Sequence, residues 1–205
     1  MKTLPINLAP LAAFDALALR RKVFLVGNGA FGVTSQLTAR LACERLAVRM
    51  VCGDNCFDPY AVTRYAKARG CRPADVLKRI LIARAFTAYQ LVELVERLEG
   101  YLACSELVIV TGICSAFFDD DLSDTDAARL FYRAFWKLAE LSQSHMQLLL
   151  VESRALPIER RLYFLKDLYQ TSEVVLSLAG PTTFTLEQKF NQPKRLHSVT
   201  RLLQG

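Results

Sequence analysis

Gly27, Gly32 and Thr34 stand within "VFLVGNGAFGVTSQLTARL" at the spacing G-x-x-x-x-G-x-[ST]. Between an apolar strand and a helix, that spacing serves phosphate binding. Backbone N–H groups and the helix dipole face the anion, a lysine after the second glycine reaches the β- and γ-phosphates, and the hydroxyl ligates Mg²⁺. Here Val33 occupies the lysine position. A charge-assisted hydrogen bond contributes roughly 1.5–3 kcal/mol, so its loss weakens nucleotide binding by about one to two orders of magnitude. Gly27, Asn28, Gly29, Gly32 and Thr34 are therefore candidate residues of a weakened nucleotide site, for ATP or ADP if anything. On this reading Val33→Lys should improve affinity more than turnover.

Phosphoryl transfer also needs a carboxylate at the end of a distant strand, to hold the metal and its waters. The best candidate strand, in "ELVIVTGICSAFF", ends in Thr111 and Gly112. Asp119, Asp120 and Asp121 come several residues later, in a stretch that reads as a solvated acidic loop. Two charges that the chemistry uses are thus missing, which argues against hydrolysis. A working ATPase with its lysine supplied from elsewhere, for example by Lys22 or by another subunit, is the remaining enzymatic reading.

The elements that must position these residues are legible as short apolar runs. Residues 22–27, 48–53, 80–85, 107–112 and 148–153 read as buried strands, several of them bounded by turn residues. Between them, Ala39, Ala42, Cys43 and Leu46 recur at helical spacing, as do Phe131, Ala134, Phe135 and Leu138. "LVELVERLEGYL", residues 91–102, carries a further apolar stripe. Such alternation predicts an α/β fold: a mostly parallel twisted sheet with helices on both faces. The run "EVVLSLAGPTTFTLEQKF" predicts a closing β-hairpin around Gly180 and Pro181. No repeat, linker or low-complexity tract divides the chain, so residues 1–205 read as one domain.

Composition narrows the function classes. The 205 residues are 52% hydrophobic and 22% charged, a globular balance, and no apolar run is long enough to suggest a membrane helix. The apolar start contains Pro5, Pro10 and Asp15 and lacks a signal-peptide layout. Six cysteines without a C-x-x-C pair, and only two histidines, give no zinc pattern; the cysteines read as reduced, buried thiols of a cytoplasmic protein. The net charge of +6 is unevenly spread. Residues 20–90 hold 13 Lys and Arg against 4 Asp and Glu, whereas residues 91–140 hold 4 against 10. A basic half suits an anionic partner, and a mixed solvated surface suits it equally.

The segment "VCGDNCFDPYAVTRYAKARGCRPADVLKRILIARAFTAYQLVEL" resembles the RecA/RadA recombinase superfamily, especially its RadA and RadB type. The matching residues are Phe57 and Pro59, Gly70 and Pro73, Val76 and Leu77, and Ala83-Arg84-Ala85-Phe86. The resemblance implies a RecA-like P-loop core. It also implies that Asp54 stands where the family has the glutamate that polarises the attacking water, and Thr111 where it has the Mg-associated aspartate. "ESRALPIERR" replaces the family's glutamine-ended strand and longer second DNA-binding loop. There Arg154, Arg160 and Arg161 are candidates for DNA phosphate contacts, with a surface loop salt-bridged to Glu152 and Glu159 as the competing reading. "FYRA", residues 131–134, matches a short oligomerisation motif but lies on a periodic core helix, where it reads as packing.

These readings converge on a divergent, ATPase-deficient paralogue: a non-hydrolysing accessory protein of DNA recombination and repair. It would act by binding a RecA/RadA-family or other repair protein, and DNA. The alternative is a nucleotide-binding sensor that holds ATP without turnover. No metal site and no membrane contact are expected.

Overall fold

The computed structural model describes residues 22–101, 107–143, 147–153, 156, 160–178 and 184–188. Six parallel strands form the centre: β1 (Lys22–Gly27), β2 (Val48–Cys52), β3 (Ile80–Arg84), β4 (Leu107–Thr111), β5 (Gln147–Glu152) and β6 (Val174–Leu178). A seventh, β7 (Phe184–Gln188), pairs antiparallel with β6, and the sheet order is β3-β2-β4-β5-β1-β6-β7. The turn expected around Gly180 and Pro181 lies outside the described residues. The α/β architecture and the helix-covered parallel sheet are those predicted, and they are consistent with a RecA-like core.

The strands are apolar on both sides because both sides are covered. Along β1, Val23 and Leu25 point into one core and Phe24 into the other. The first core is roofed by α1 (Ala30–Cys43), α2 (Pro59–Ala68) and the short α3 (Pro73–Leu77). The second is roofed by α4 (Ala88–Arg97), α5 (Asp124–Gln143) and α6 (Tyr163–Thr171). Phe131 and Ala134 of "FYRA" are fully buried there, and the Phe131 ring stacks on Phe164 at 4.0 Å between centroids. That motif is packing.

The helices α1 to α3 lie within the basic half of the sequence and α4 and α5 within the acidic half, although the charge imbalance within the helices themselves is small. Among the described residues, no helix is long and apolar enough to cross a membrane.

Lys22 opens β1 at the amino end of the sheet, about 16 Å along the strand from Gly27 at ~3.3 Å per residue. It is 3% exposed. Its ammonium donates to Thr171 Oγ1 at 3.0 Å and lies 4.9 Å from the centroid of the Phe135 ring. It therefore cannot stand in for a phosphate-binding lysine at the other end of the strand. Burial lowers its pKa from 10.5 to about 8, an effect partly offset by Glu173. Below pH 8 the charge is carried in both folded and unfolded chains, and the burial cost is fully present. Between about pH 8 and 10.5 the folded chain has released a proton that the unfolded chain still holds, so stability rises with pH. Lys22→Met is accordingly expected to stabilise the fold at pH 7 by about 1–3 kcal/mol. The advantage should fade across that window, as read by urea midpoints over a pH series.

Candidate functional site

The chain leaves β1 toward the α1 face and leaves β5, its neighbour, toward the α6 face. Such a divergence opens a crevice beyond the carboxyl ends of the strands, the usual ligand position in open parallel sheets. The residues singled out by spacing and by resemblance gather at this end.

Gly27 closes β1 with φ 109°, and a Cβ there would lie 2.2 Å from the Leu178 carbonyl oxygen of β6. Only Asn28 and Gly29 separate it from α1, whose N-cap is Gly29 at φ 102°. Gly32 thus lies in the first helical turn, exposed, with open space where a Cβ would be. The spacing that reads as a six-residue loop folds as a two-residue turn followed by helix. Val33 is buried against the sheet in the same core as Val23 and Leu25. Thr34, 1% exposed, donates its hydroxyl proton to the Ala30 carbonyl at 2.8 Å, within the helix. A lysine in place of Val33 would therefore enter apolar packing rather than reach a phosphate, contrary to the affinity gain expected from spacing alone.

Asp54, two residues beyond β2, and Thr111, the last residue of β4, meet. Thr111 Oγ1 donates to Asp54 Oδ1 at 2.7 Å, and the Cys56 N–H donates to the same oxygen at 3.0 Å. Both residues are buried. The approach depends on Gly112, at φ 65°, where a Cβ would come within 2.5 Å of the Asp54 nitrogen. Asp54 is held by a neutral hydroxyl where a metal-assisted mechanism would need a second carboxylate beside it.

Glu152, at the end of β5, is expected from the sequence as an ion-pair partner in a surface loop, and the structure buries it instead. It is 1% exposed, and Oε2 accepts the Cys114 and Ser115 N–H groups, each at 2.9 Å. It caps the 3-10 turn Ser115–Phe117 that follows β4. This acid anchors one strand end to the next.

Arg160 and Arg161 turn toward the acidic loop. Arg160 Nε and Arg161 Nε each donate to Asp124 Oδ1 at 2.8 Å, and Arg160 also pairs with Asp120 at 3.3 Å. Arg161 is 4% exposed, adopts φ 62°, and binds the carbonyl oxygens of Phe117 and Leu122. Asp124, held by both guanidiniums, has its carboxyl below the usual range. The acidic run and the arginine pair, which look like two separate surfaces in the sequence, complete one another. Arg154 lies outside the described residues. Among the described residues, no three His, Cys, Asp or Glu side chains stand together as a metal site would require.

No family model matches the chain, and a search of curated proteins returns no match.

The two glycines of the turn should behave oppositely. Gly32→Ala is expected to stabilise by about 0.5–1 kcal/mol, because a helical glycine gains from a Cβ that meets nothing. Gly27→Ala should destabilise by several times that amount, in the sense of the left-handed strain and the clash with Leu178. Denaturant titration of both variants measures the contrast; a strongly destabilised Gly32→Ala would mean that residue 32 belongs to a loop.

Proposed function

We propose that the chain is a non-hydrolysing RecA-like accessory protein of DNA recombination and repair, working by docking onto a partner protein and, through its basic face, onto DNA. The observation that carries the first part is the fate of the polar groups at the strand ends. Thr34, Thr111, Asp54 and Glu152 all take part in internal hydrogen bonds, and Val33 lies in the core. An active centre for phosphoryl transfer aims such groups at a substrate instead.

Docking is supported by the opposite edge of the molecule. β3 is an edge strand, Leu81 on it is exposed, and Phe86 and Tyr89 beyond it are 71% and 55% exposed. The Phe86 backbone is fixed: its N–H donates to Gln90 Oε1 at 2.8 Å, while the Gln90 N–H donates to the N-cap hydroxyl of Thr87 at 3.2 Å. A ring held outward on a fixed backbone loses little entropy when covered, and an open strand edge accepts a strand from another chain. For DNA, Arg64, Lys67, Arg69 and Arg72 are exposed on the α2–α3 face. Contacts of that kind position a backbone without reading sequence.

The alternative, ATP binding without turnover, draws on the exposed Asn28 and on the start of α1, which has no side-chain cap. The tests separate the two readings. The purified protein should show no Mg-dependent ATP hydrolysis, and Val33→Lys should lose stability without gaining nucleotide affinity. A native pull-down should recover another protein in fixed ratio, and Phe86→Ala should release it. DNA binding should be indifferent to sequence and fall steeply with salt. ATP turnover that survives repurification and disappears in Thr34→Ala would overturn the proposal. So would a chain that binds ATP tightly and captures no partner.

A further inference from the structure

Helix α2 turns a stripe of cations to solvent, and an aromatic ring stands at its head. Tyr60, Arg64 and Lys67 recur at i, i+4 and i+7 and are all exposed, whereas Val62, Tyr65 and Ala66 on the opposite side are buried. Tyr60, at 74%, is the most exposed large apolar side chain among the described residues. Its backbone is fixed all the same. Pro59 opens the helix, the Asp58 carboxylate accepts the Ala61 N–H at 3.0 Å, and the Thr63 hydroxyl donates to the Tyr60 carbonyl at 3.0 Å.

The stripe continues past the helix. Arg69 caps α2, with its guanidinium 5.6 Å from the centroid of the Tyr65 ring, and Arg72 leads into α3. Residues 59–74 hold these four cations and no acid. The acids that bound the stretch engage only its outer members: Asp58 lies 3.5 Å from Arg64, and Asp75 lies 2.7 Å from Arg72. Lys67 and Arg69, between them, make no ion pair among the described residues. Trp136, the exposed aromatic of α5, has different company: Arg133 pairs with Glu96, and Lys137 pairs with Glu99 and Glu140.

We propose that this stripe binds a single strand of DNA, with one base stacked on the Tyr60 ring and the phosphates on Arg64, Lys67 and Arg69. The inference rests on the reading that the chain binds DNA through the α2–α3 face, and it adds which form of DNA that face takes and which residue selects it. Cations alone do not select, because a duplex and a single strand both offer phosphates. The ring does. An unpaired base presents a π-face to an aromatic side chain, whereas a base inside a duplex must first be unstacked. Stacking tolerates any base, so the site reads strandedness without reading sequence. The helix already immobilises the Tyr60 backbone, so little order is lost when the ring is covered.

Fluorescence anisotropy of the full chain tests this with three labelled probes of equal length: a thymidine oligomer, an abasic oligomer and a blunt duplex. The thymidine oligomer should bind most tightly. Tyr60→Ala should weaken it roughly 5- to 100-fold, while Tyr60→Phe, which keeps the ring, should retain it. Neither the abasic oligomer nor the duplex should respond to Tyr60→Ala. Lys67→Gln and Arg69→Gln should each flatten the slope of log affinity against log salt by about 0.7 on the single strand, a slope that Tyr60→Ala leaves unchanged. Circular dichroism establishes that the variants are folded. If the duplex binds as tightly as the thymidine oligomer, or if Tyr60→Ala changes nothing, the single-strand site is overturned and the DNA reading stands. If no probe binds at low salt, both are overturned.

Discussion

Burial of the parallel sheet on both faces is the constraint from which the rest of the structure follows. No strand between β3 and β6 in the sheet order has a wet side, so side chains must be apolar in both directions along the strand and polar groups are pushed to the strand ends. Two helical layers are then obligatory, and the chain must pass from one to the other. Those passages set the topological switch point at the carboxyl ends of β1 and β5. A buried polar atom at that end costs on the order of 1–3 kcal/mol unless it is paired. The pairing of Thr111 with Asp54, and of Glu152 with the turn after β4, answers this demand.

The same pairings determine what the strand ends can do. A carboxylate that already accepts two hydrogen bonds from the chain is positioned for architecture, and displacing those donors to admit a metal would cost what they contribute. Arg161 illustrates the point at the neighbouring loop. It is a cation singled out for DNA phosphate contacts, but its nitrogens are bonded to three carbonyl oxygens and a carboxylate. The exposed groups lie elsewhere: Leu81 on β3, Phe86 and Tyr89 beyond it, and Arg64, Lys67, Arg69 and Arg72 on and after α2.

Strand positions were legible because double-sided burial leaves continuous apolar runs, and the runs at 22–27 and 107–112 fall within a residue of the strands. β6 was legible for the same reason, and β7 as a second strand-like run in the sequence after Gly180 and Pro181. Side-chain roles at the strand ends were not, because they depend on neighbours distant in sequence. Nothing local to Thr111 identifies Asp54 as its acceptor, and nothing near Arg161 identifies Asp124. The glycine spacing misled for a related reason. Gly27 and Gly32 have the same type and a suggestive separation, but one packs against Leu178 and the other is an ordinary helical residue. Only the point at which α1 begins distinguishes them, and weak local signals leave such boundaries poorly defined. The cysteines were read uniformly as buried thiols; those among the described residues divide into the enclosed Cys52 and Cys114 and the half-buried Cys43, Cys56 and Cys71.

A parallel sheet covered on both faces thus has its strand-end groups committed to internal contacts and, as proposed, meets its partners through an edge. Hydrogen–deuterium exchange of the full chain tests this most directly, comparing the protein alone, with Mg-ATP, and with whatever protein it captures natively. Docking through the edge predicts protection of β3 and the start of α4 by the captured protein, and unchanged exchange at residues 27–34 with Mg-ATP. Protection of residues 27–34 by Mg-ATP, with β3 unaffected by any partner, would contradict it.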